Sequence, residues 1–149
     1  NLIDVTLEKS TILDLYSGIG SFGLECLSRG ANEIVFVERD KSIANTLYKN
    51  LLALSIKNKA TIVNEDIIVF LNKKKFDKKF DIIFLDPPYK EKGLSAILNN
   101  IVESDVLRVG GLIILHRHKK EEDKFPEKFK IIEEKTYGIS RVVFGCFFK

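Results

Sequence analysis

The chain has 149 residues, of which 45% are hydrophobic and 30% charged, and its net charge is +3. This balance is typical of one soluble globular domain and excludes a disordered or fibrous protein. No apolar run approaches the roughly 20 residues that span a bilayer, and the mildly basic charge permits a nucleic-acid partner without requiring one.

Two cysteines, Cys26 and Cys146, are too few for a disulfide scaffold and lack the spacing of metal ligands. We expect both to be small buried hydrophobes in a reducing compartment, the cytoplasm. The chain contains no methionine and opens on NLIDVTLEKS. We therefore expect a single domain over residues 1–149 that lacks a short N-terminal segment.

Short apolar segments alternate with longer amphipathic ones along the chain. Five segments rich in valine, isoleucine and leucine are predicted strands: 11–16, 33–38, 60–65, 80–86 and 111–117. Four segments between them are predicted helices: 21–29, 41–54, from Asp66 to the lysines at 73–75, and 94–103. Continuous apolar strands alternating with helices indicate a parallel sheet that is covered on both faces.

The last twenty residues, KIIEEKTYGISRVVFGCFFK (130–149), contain two strand-like runs around a Tyr-Gly turn, which predicts an antiparallel hairpin. The predicted fold class is therefore α/β: a doubly wound, mostly parallel, Rossmann-like sheet closed by a C-terminal antiparallel hairpin. Such sheets bind ligands at the carboxyl ends of their strands. Residues that directly follow a strand should face the site, and residues that precede one should lie on the opposite rim.

The first predicted strand leads into a glycine-rich loop, DLYSGIGSFGLE. Gly18, Gly20 and Gly23 fit the pattern G-x-G-x-x-G, and Glu38 ends the second strand twenty positions after Gly18. By spacing this is a dinucleotide fingerprint, in which the glycines allow close backbone approach and the acid binds ribose hydroxyls. The alternative is a tight strand-to-helix turn that binds no ligand.

Four acids, Asp14, Glu38, Asp66 and Asp86, are predicted to reach the same rim. A pyrophosphate prefers backbone N–H groups and cations, so these carboxylates disfavour NAD. They favour S-adenosylmethionine, whose sulfonium and ammonium are cationic, with Glu38 on its ribose diol and Asp66 on its adenine amine. The predicted cofactor-binding residues are Asp14, Tyr16, Gly18, Gly20, Gly23, Glu38 and Asp66. The alternatives are a helix N-cap for Asp66, a turn cap for Asp14 and an exposed strand end for Glu38.

The fourth strand ends in FDIIFLDPPYKEKG (80–93), which places Asp86, Pro87, Pro88 and Tyr89 at the same rim. Two acceptors, the Asp86 carboxylate and the Pro87 carbonyl, would localise the lone pair of an exocyclic nucleobase amine for methylation. The prolines offer no N–H and keep the turn rigid, and Tyr89 offers a stacking face worth about 1–3 kcal/mol per base. The base must be unpaired or flipped out. The alternative is a turn that only terminates the strand.

Four stretches carry a resemblance to a known family: DLYSGIGSFGLECLSRGA, VFVERD, FDIIFLDPPYKEKG and KTYGISRVVF. They resemble class I S-adenosylmethionine-dependent methyltransferases with the D/N-P-P-Y/F motif, and most of all the RsmD family of 16S rRNA guanine-N2 methyltransferases. The resemblance implies guanine N2 in small-subunit ribosomal RNA as the acceptor and the strand order 3-2-1-4-5-7-6. Where this family often has a glutamate-containing stretch after the fifth strand, this chain has LHRHKKEE.

Other activities remain open, namely adenine N6 methylation of nucleic acid, methylation of a protein glutamine amide, and a non-catalytic or NAD-dependent module. The expected partner is ribosomal RNA or the small ribosomal subunit, bound by a monomer without a metal or a membrane. Basic residues that follow strands should face RNA phosphates, chiefly Lys90, Lys92, Arg117 and Lys119. The denser cluster Lys73, Lys74, Lys75, Lys78 and Lys79 should be a solvated face on the opposite rim, and His116 and His118 receive no catalytic role.

Overall fold

The structure is a computed structural model that describes residues 6–73, 77–88 and 93–148. Its strands are β1 (Thr11–Leu15), β2 (Glu33–Val37), β3 (Ala60–Val63), β4 (Phe80–Leu85), β5 (Leu107–His118), β6 (Phe129–Tyr137) and β7 (Ser140–Phe147). Its α-helices are α1 (Ser21–Ser28), α2 (Lys41–Ala53), α3 (Ile67–Leu71) and α4 (Leu94–Ser104). A short 3₁₀ turn, Lys57–Lys59, precedes β3.

The strands form one seven-stranded sheet in the order β3-β2-β1-β4-β5-β7-β6. The pairs from β3 through β5 are parallel, and β7 is antiparallel to both β5 and β6. The predicted fold class, the strand order and the C-terminal hairpin are confirmed. The chain reverses its winding direction between β1 and β4, which is the place where such sheets form a ligand crevice.

Helices cover both faces of the sheet because each central strand buries side chains in both directions. On one face, Leu13 and Leu15 of β1 belong to a core with α3 and α4. On the other face, Ile12 belongs to a core with α1 and α2. The predicted continuous apolar strands therefore match a sheet that is buried on both sides.

Strand β5 differs most from its prediction, because it starts at Leu107 rather than near residue 111. Leu107 pairs with Phe80, and the next pair joins Ile82 to Leu112, so the register shifts between them. Extra residues of β5 bulge at this point, and Gly110 has a φ of 81°. Gly110 and Gly111 interrupt the apolar pattern without ending the strand.

Both cysteines are buried and unpaired, as predicted. Burial, with a smaller contribution from Asp14, raises the pKa of the Cys26 thiol to about 12, so this thiol stays protonated at neutral pH. Within the described ranges, no helix has the length and apolarity that crossing a membrane requires.

Candidate active site

The loop between β1 and α1 has an unusual backbone. Tyr16, Gly18 and Gly20 adopt left-handed φ values of 58°, 54° and 87°. A non-glycine residue in this region is strained by about 1–3 kcal/mol, and such strain is concentrated at ligand sites. Three left-handed residues within five positions make this loop a candidate binding loop.

The three glycines of the motif do different things. A Cβ on Gly20 would lie 2.3 Å from Leu47 Cδ1, and one on Gly23 would lie 2.3 Å from Phe36 Cε1. These two glycines let the loop and α1 pack closely on their neighbours. A Cβ on Gly18 would meet no atom within 4 Å, and Gly18 borders a cavity. Of the three glycines, only Gly18 lines this cavity.

This first cavity has a volume of about 340 Å³ and lies at the carboxyl ends of β1 to β4. Six predicted site residues line it: Tyr16, Gly18, Glu38, Asp66, Asp86 and Pro88. Five of its lining side chains are acidic, namely Glu38, Asp40, Glu65, Asp66 and Asp86, against one arginine, Arg39. An acidic cavity beside an open glycine suits a ligand with cationic groups, as the sequence predicts, and suits a pyrophosphate poorly.

Glu38 joins the end of β2 to the glycine loop. Its Oε1 accepts a hydrogen bond from the Gly18 N–H at 3.0 Å, and its Oε2 accepts one from the Asp40 N–H at 2.8 Å. Each carboxylate oxygen keeps a second acceptor site, so a ribose diol can still bind. Asn64, which the sequence analysis missed, donates from Nδ2 to the Glu38 carbonyl at 2.8 Å and thereby holds this strand end.

Asp66 is the N-cap of α3, and its Oδ1 accepts from the Ile68 N–H at 2.8 Å. The alternative role proposed for it from the sequence is therefore present. The same side chain lines the first cavity, and its other oxygen has acceptor capacity. The cap and the predicted contact with an adenine amine are compatible.

Asp14 lies beneath the glycine loop and is 1% exposed, so it does not line the first cavity. Neither carboxylate oxygen has a hydrogen-bond partner of normal geometry among the described residues. Burial, and next the charge of Asp86, raise the pKa of Asp14 well above its ordinary value, while the Gly23 backbone amide opposes the rise. Asp14 is therefore a buried carboxyl group beside Gly23, and its contact with a cofactor remains a prediction.

We expect Asp14→Asn to be more stable than the wild type at neutral and alkaline pH, by about 1–3 kcal/mol. Because the fold raises the pKa of Asp14, the stability that its protonated carboxyl group contributes is fully present at pH values below the ordinary pKa of a carboxylate. That contribution is lost as the pH rises through the raised pKa. Thermal unfolding between pH 5 and 9 should show the two melting curves separating as the pH rises. Parallel curves, like those expected for the exposed Asp77→Asn, would contradict the prediction.

A second, smaller cavity of about 180 Å³ lies on the other side of Asp86. Asp86, Pro87, His116 and Ser140 are among its lining residues. Asp86 borders both cavities, with Pro88 on the first and Pro87 on the second. The Asp86 carboxylate is therefore a group that the two cavities share. Tyr89, Lys90 and Lys92 lie outside the described residues.

Arg117 lines the second cavity but is almost fully buried, so its side chain is not the exposed phosphate contact that the sequence predicts. Its side chain is 3% exposed and pairs with Asp123, itself 5% exposed, at 2.9 Å. Asp123 also binds Arg141 at 3.0 Å, and Arg141 lies directly opposite Arg117 on β7. Two arginines side by side on adjacent strands need a shared carboxylate to offset their repulsion. Arg117 is therefore part of a structural ion network.

The remaining predicted basic residues divide between the two rims. Lys119 is exposed next to the second cavity, and its backbone N–H donates to the Ile139 carbonyl at 2.8 Å, so its role in RNA binding stays a prediction. Lys78 and Lys79 are half exposed and form ion pairs with Glu33 and Asp105. Lys73 differs from its prediction, because it pairs at 3.1 Å with Glu65, a residue of the first cavity. Helix α3 has only five residues and ends before the opposite rim. Lys74 and Lys75 lie outside the described residues.

The sheet and the acid-lined cavity define the class of this protein: it is an S-adenosylmethionine-dependent methyltransferase with a Rossmann-like fold. The chain belongs to the RsmD family, whose model, described as Conserved hypothetical protein 95, matches residues 1–146. The resemblance predicted from the four sequence stretches is confirmed.

Two relatives illustrate the similarity. The Ribosomal RNA small subunit methyltransferase D of Haemophilus influenzae is 34% identical over 134 residues, which cover 89% of this chain and 69% of that protein. The rRNA methyltransferase YlbH of Bacillus subtilis is 34% identical over 146 residues, which cover 95% of this chain and 78% of that protein.

Solved structures agree with this assignment. One described as a methylase from Haemophilus influenzae superposes with a TM-score of 0.82 at 33% identity and covers 93% of this chain and 87% of that one. A methyltransferase crystallised with SAH has a TM-score of 0.80 at 17% identity, covers 97% of this chain and 47% of that one, and shares the fold.

Proposed function

We propose that this protein transfers a methyl group from S-adenosylmethionine to the exocyclic N2 amine of a guanine in small-subunit ribosomal RNA. The observation that carries the proposal is the position of Asp86, which borders both the acid-lined cavity and the smaller cavity beside it. The Haemophilus influenzae relative, whose name specifies small-subunit ribosomal RNA, supports the substrate class.

The first cavity fits the cofactor by its chemistry. Glu38 would accept from the ribose hydroxyls, Asp66 from the adenine amine, and the acidic lining would stabilise the cationic groups. The open space at Gly18 leaves room for close approach to the loop backbone. When bound, S-adenosylmethionine supplies an electrophilic methyl group on its sulfonium.

The acceptor amine would lie beside Asp86, on the side of the second cavity. Its lone pair is delocalised into the base, so an isolated amine is a weak nucleophile. The Asp86 carboxylate and the Pro87 carbonyl would each accept a hydrogen bond from one of its two N–H groups. These two hydrogen bonds would orient the lone pair toward the methyl group. Positioning of this kind accounts for a large part of many enzymatic rate enhancements. The surplus proton leaves afterwards to Asp86 or to water.

The test is nucleoside mass spectrometry after incubation of the protein with S-adenosylmethionine and ribosomal RNA, presented both as naked 16S RNA and as the small subunit. We expect N2-methylguanosine in at least one of the two substrates. N6-methyladenosine in its place would overturn the guanine assignment. Methyl label recovered in glutamine of ribosomal protein, with none in RNA, would overturn the RNA assignment as well.

A further inference from the structure

His116 contacts the residue at the centre of the proposed chemistry. Its Nδ1 lies 3.0 Å from Asp86 Oδ1, and the two side chains are 37% and 50% exposed. His116 also lines the second cavity, together with Asp86 and Pro87. The strand register explains the contact. Leu85 of β4 pairs with Leu115 of β5, so Asp86, which follows Leu85, lies beside His116, which follows Leu115.

The contact has a defined direction. An ionised carboxylate only accepts hydrogen bonds, so a ring nitrogen at this distance from Asp86 must carry the proton. The bond occupies Oδ1 of Asp86 and leaves Oδ2 with its full acceptor capacity. A half-exposed aspartate without such a donor would sample several rotamers, and only some of these would direct an oxygen toward an amine.

We propose that His116 is a positioning residue for methyl transfer: its Nδ1–H holds Oδ1 of Asp86, so that Oδ2 meets the acceptor amine in the second cavity. This inference rests on the proposed function. His116 touches neither the methyl donor nor the reacting nitrogen in this scheme, and it acts through Asp86.

The same pair of strands contains a reference for a purely structural contact. At the other end of β4, Asp81 pairs with Arg108 of β5, far from both cavities. Like the Asp86–His116 contact, this pair joins an aspartate of the β4 segment to a donor on β5. Arg108→Gln therefore reports what the loss of a cross-strand ion pair does to stability alone.

The kinetic test compares His116→Ala, His116→Asn and Arg108→Gln with the wild type. We expect His116→Ala to lower kcat by about tenfold to a hundredfold, with the Kd for S-adenosylmethionine changed by less than about twofold. His116→Asn should recover most of the rate, because an asparagine amide can donate from the position of Nδ1. Arg108→Gln should lower Tm and leave kcat unchanged. A wild-type kcat in His116→Ala, or equal losses in the Ala and Asn variants, would overturn the proposal.

A spectroscopic test needs no activity. The Lys120 N–H donates to His118 Nδ1 at 3.1 Å, so His118 must carry its proton on Nε2, whereas His116 should carry one on Nδ1. Nitrogen-15 NMR of the histidine rings should show these two opposite tautomers, and Asp86→Ala should remove the Nδ1–H signal of His116. A His116 ring protonated only at Nε2 in the wild type would overturn the positioning role. Failure of the wild type to methylate RNA would instead refute the proposed function. The ring signals would still show whether His116 donates a hydrogen bond to Asp86.

Discussion

Asp86→Ala is expected to lower kcat for methyl transfer by about 10²- to 10³-fold, the size of effect seen when one preorganised polar group is removed from a reacting centre. Asp86 lies between the two cavities, so its loss removes an acceptor for the amine at the point of transfer. Cofactor affinity should change little, because the predicted cofactor contacts of Glu38 and Asp66 remain. Single-turnover transfer of labelled methyl and calorimetric binding of S-adenosylmethionine separate the two effects.

Asp86→Asn sharpens this prediction, because asparagine keeps a carbonyl acceptor and loses the charge. Its rate should fall between those of the wild type and the alanine variant. Asp77 is an exposed aspartate that precedes β4, so Asp77→Ala is the matched control. This variant should keep the wild-type rate. An alanine variant at position 86 that methylates RNA at the wild-type rate would refute the role of Asp86.

Glu38→Ala is expected to weaken S-adenosylmethionine binding by about tenfold to a hundredfold, since hydrogen bonds to charged groups contribute about 1.5–3 kcal/mol. The substitution removes the predicted acceptor for the ribose diol. It also releases the N–H groups of Gly18 and Asp40, so the glycine loop loses one hydrogen bond to the end of β2, while those of Ser17 to the Val37 carbonyl remain. Isothermal titration calorimetry with S-adenosylmethionine measures the change directly.

Glu33→Ala is the control for Glu38, because Glu33 begins the same strand at the opposite rim and pairs with Lys78. It should bind the cofactor as the wild type does. Glu38→Gln retains an acceptor oxygen for the Gly18 N–H and should lose less affinity than the alanine variant. If the affinity of Glu38→Ala equals that of the wild type, Glu38 does not belong to the cofactor site.

The features predicted correctly from the sequence are those set by local chemistry. The apolar runs of β1 and β4 identify buried strands because the pattern of hydrophobic residues that indicates a strand can be read from consecutive positions. The glycine loop is recognisable because left-handed backbone and close packing restrict the choice of residue at positions 18, 20 and 23. The residues between a parallel strand and the next helix lie at the ligand rim, so Glu38, Asp66 and Asp86 could be assigned to one cavity.

By itself, the sequence determined the α/β sheet, its hairpin and three of the four acids predicted at the ligand rim, whereas Asp14 is buried. Only the tertiary structure decided which side chains contact His116 and Arg117 of β5. These contacts depend on the register between strands and on a distant loop. The alignment of β4 with β5 brings His116 to Asp86, although the residues lie 30 positions apart. The alternation of the same strand turns the adjacent Arg117 to the buried face, where Asp123 neutralises it. A side chain's charge is readable in the chain, but its exposure depends on which segments fold against it.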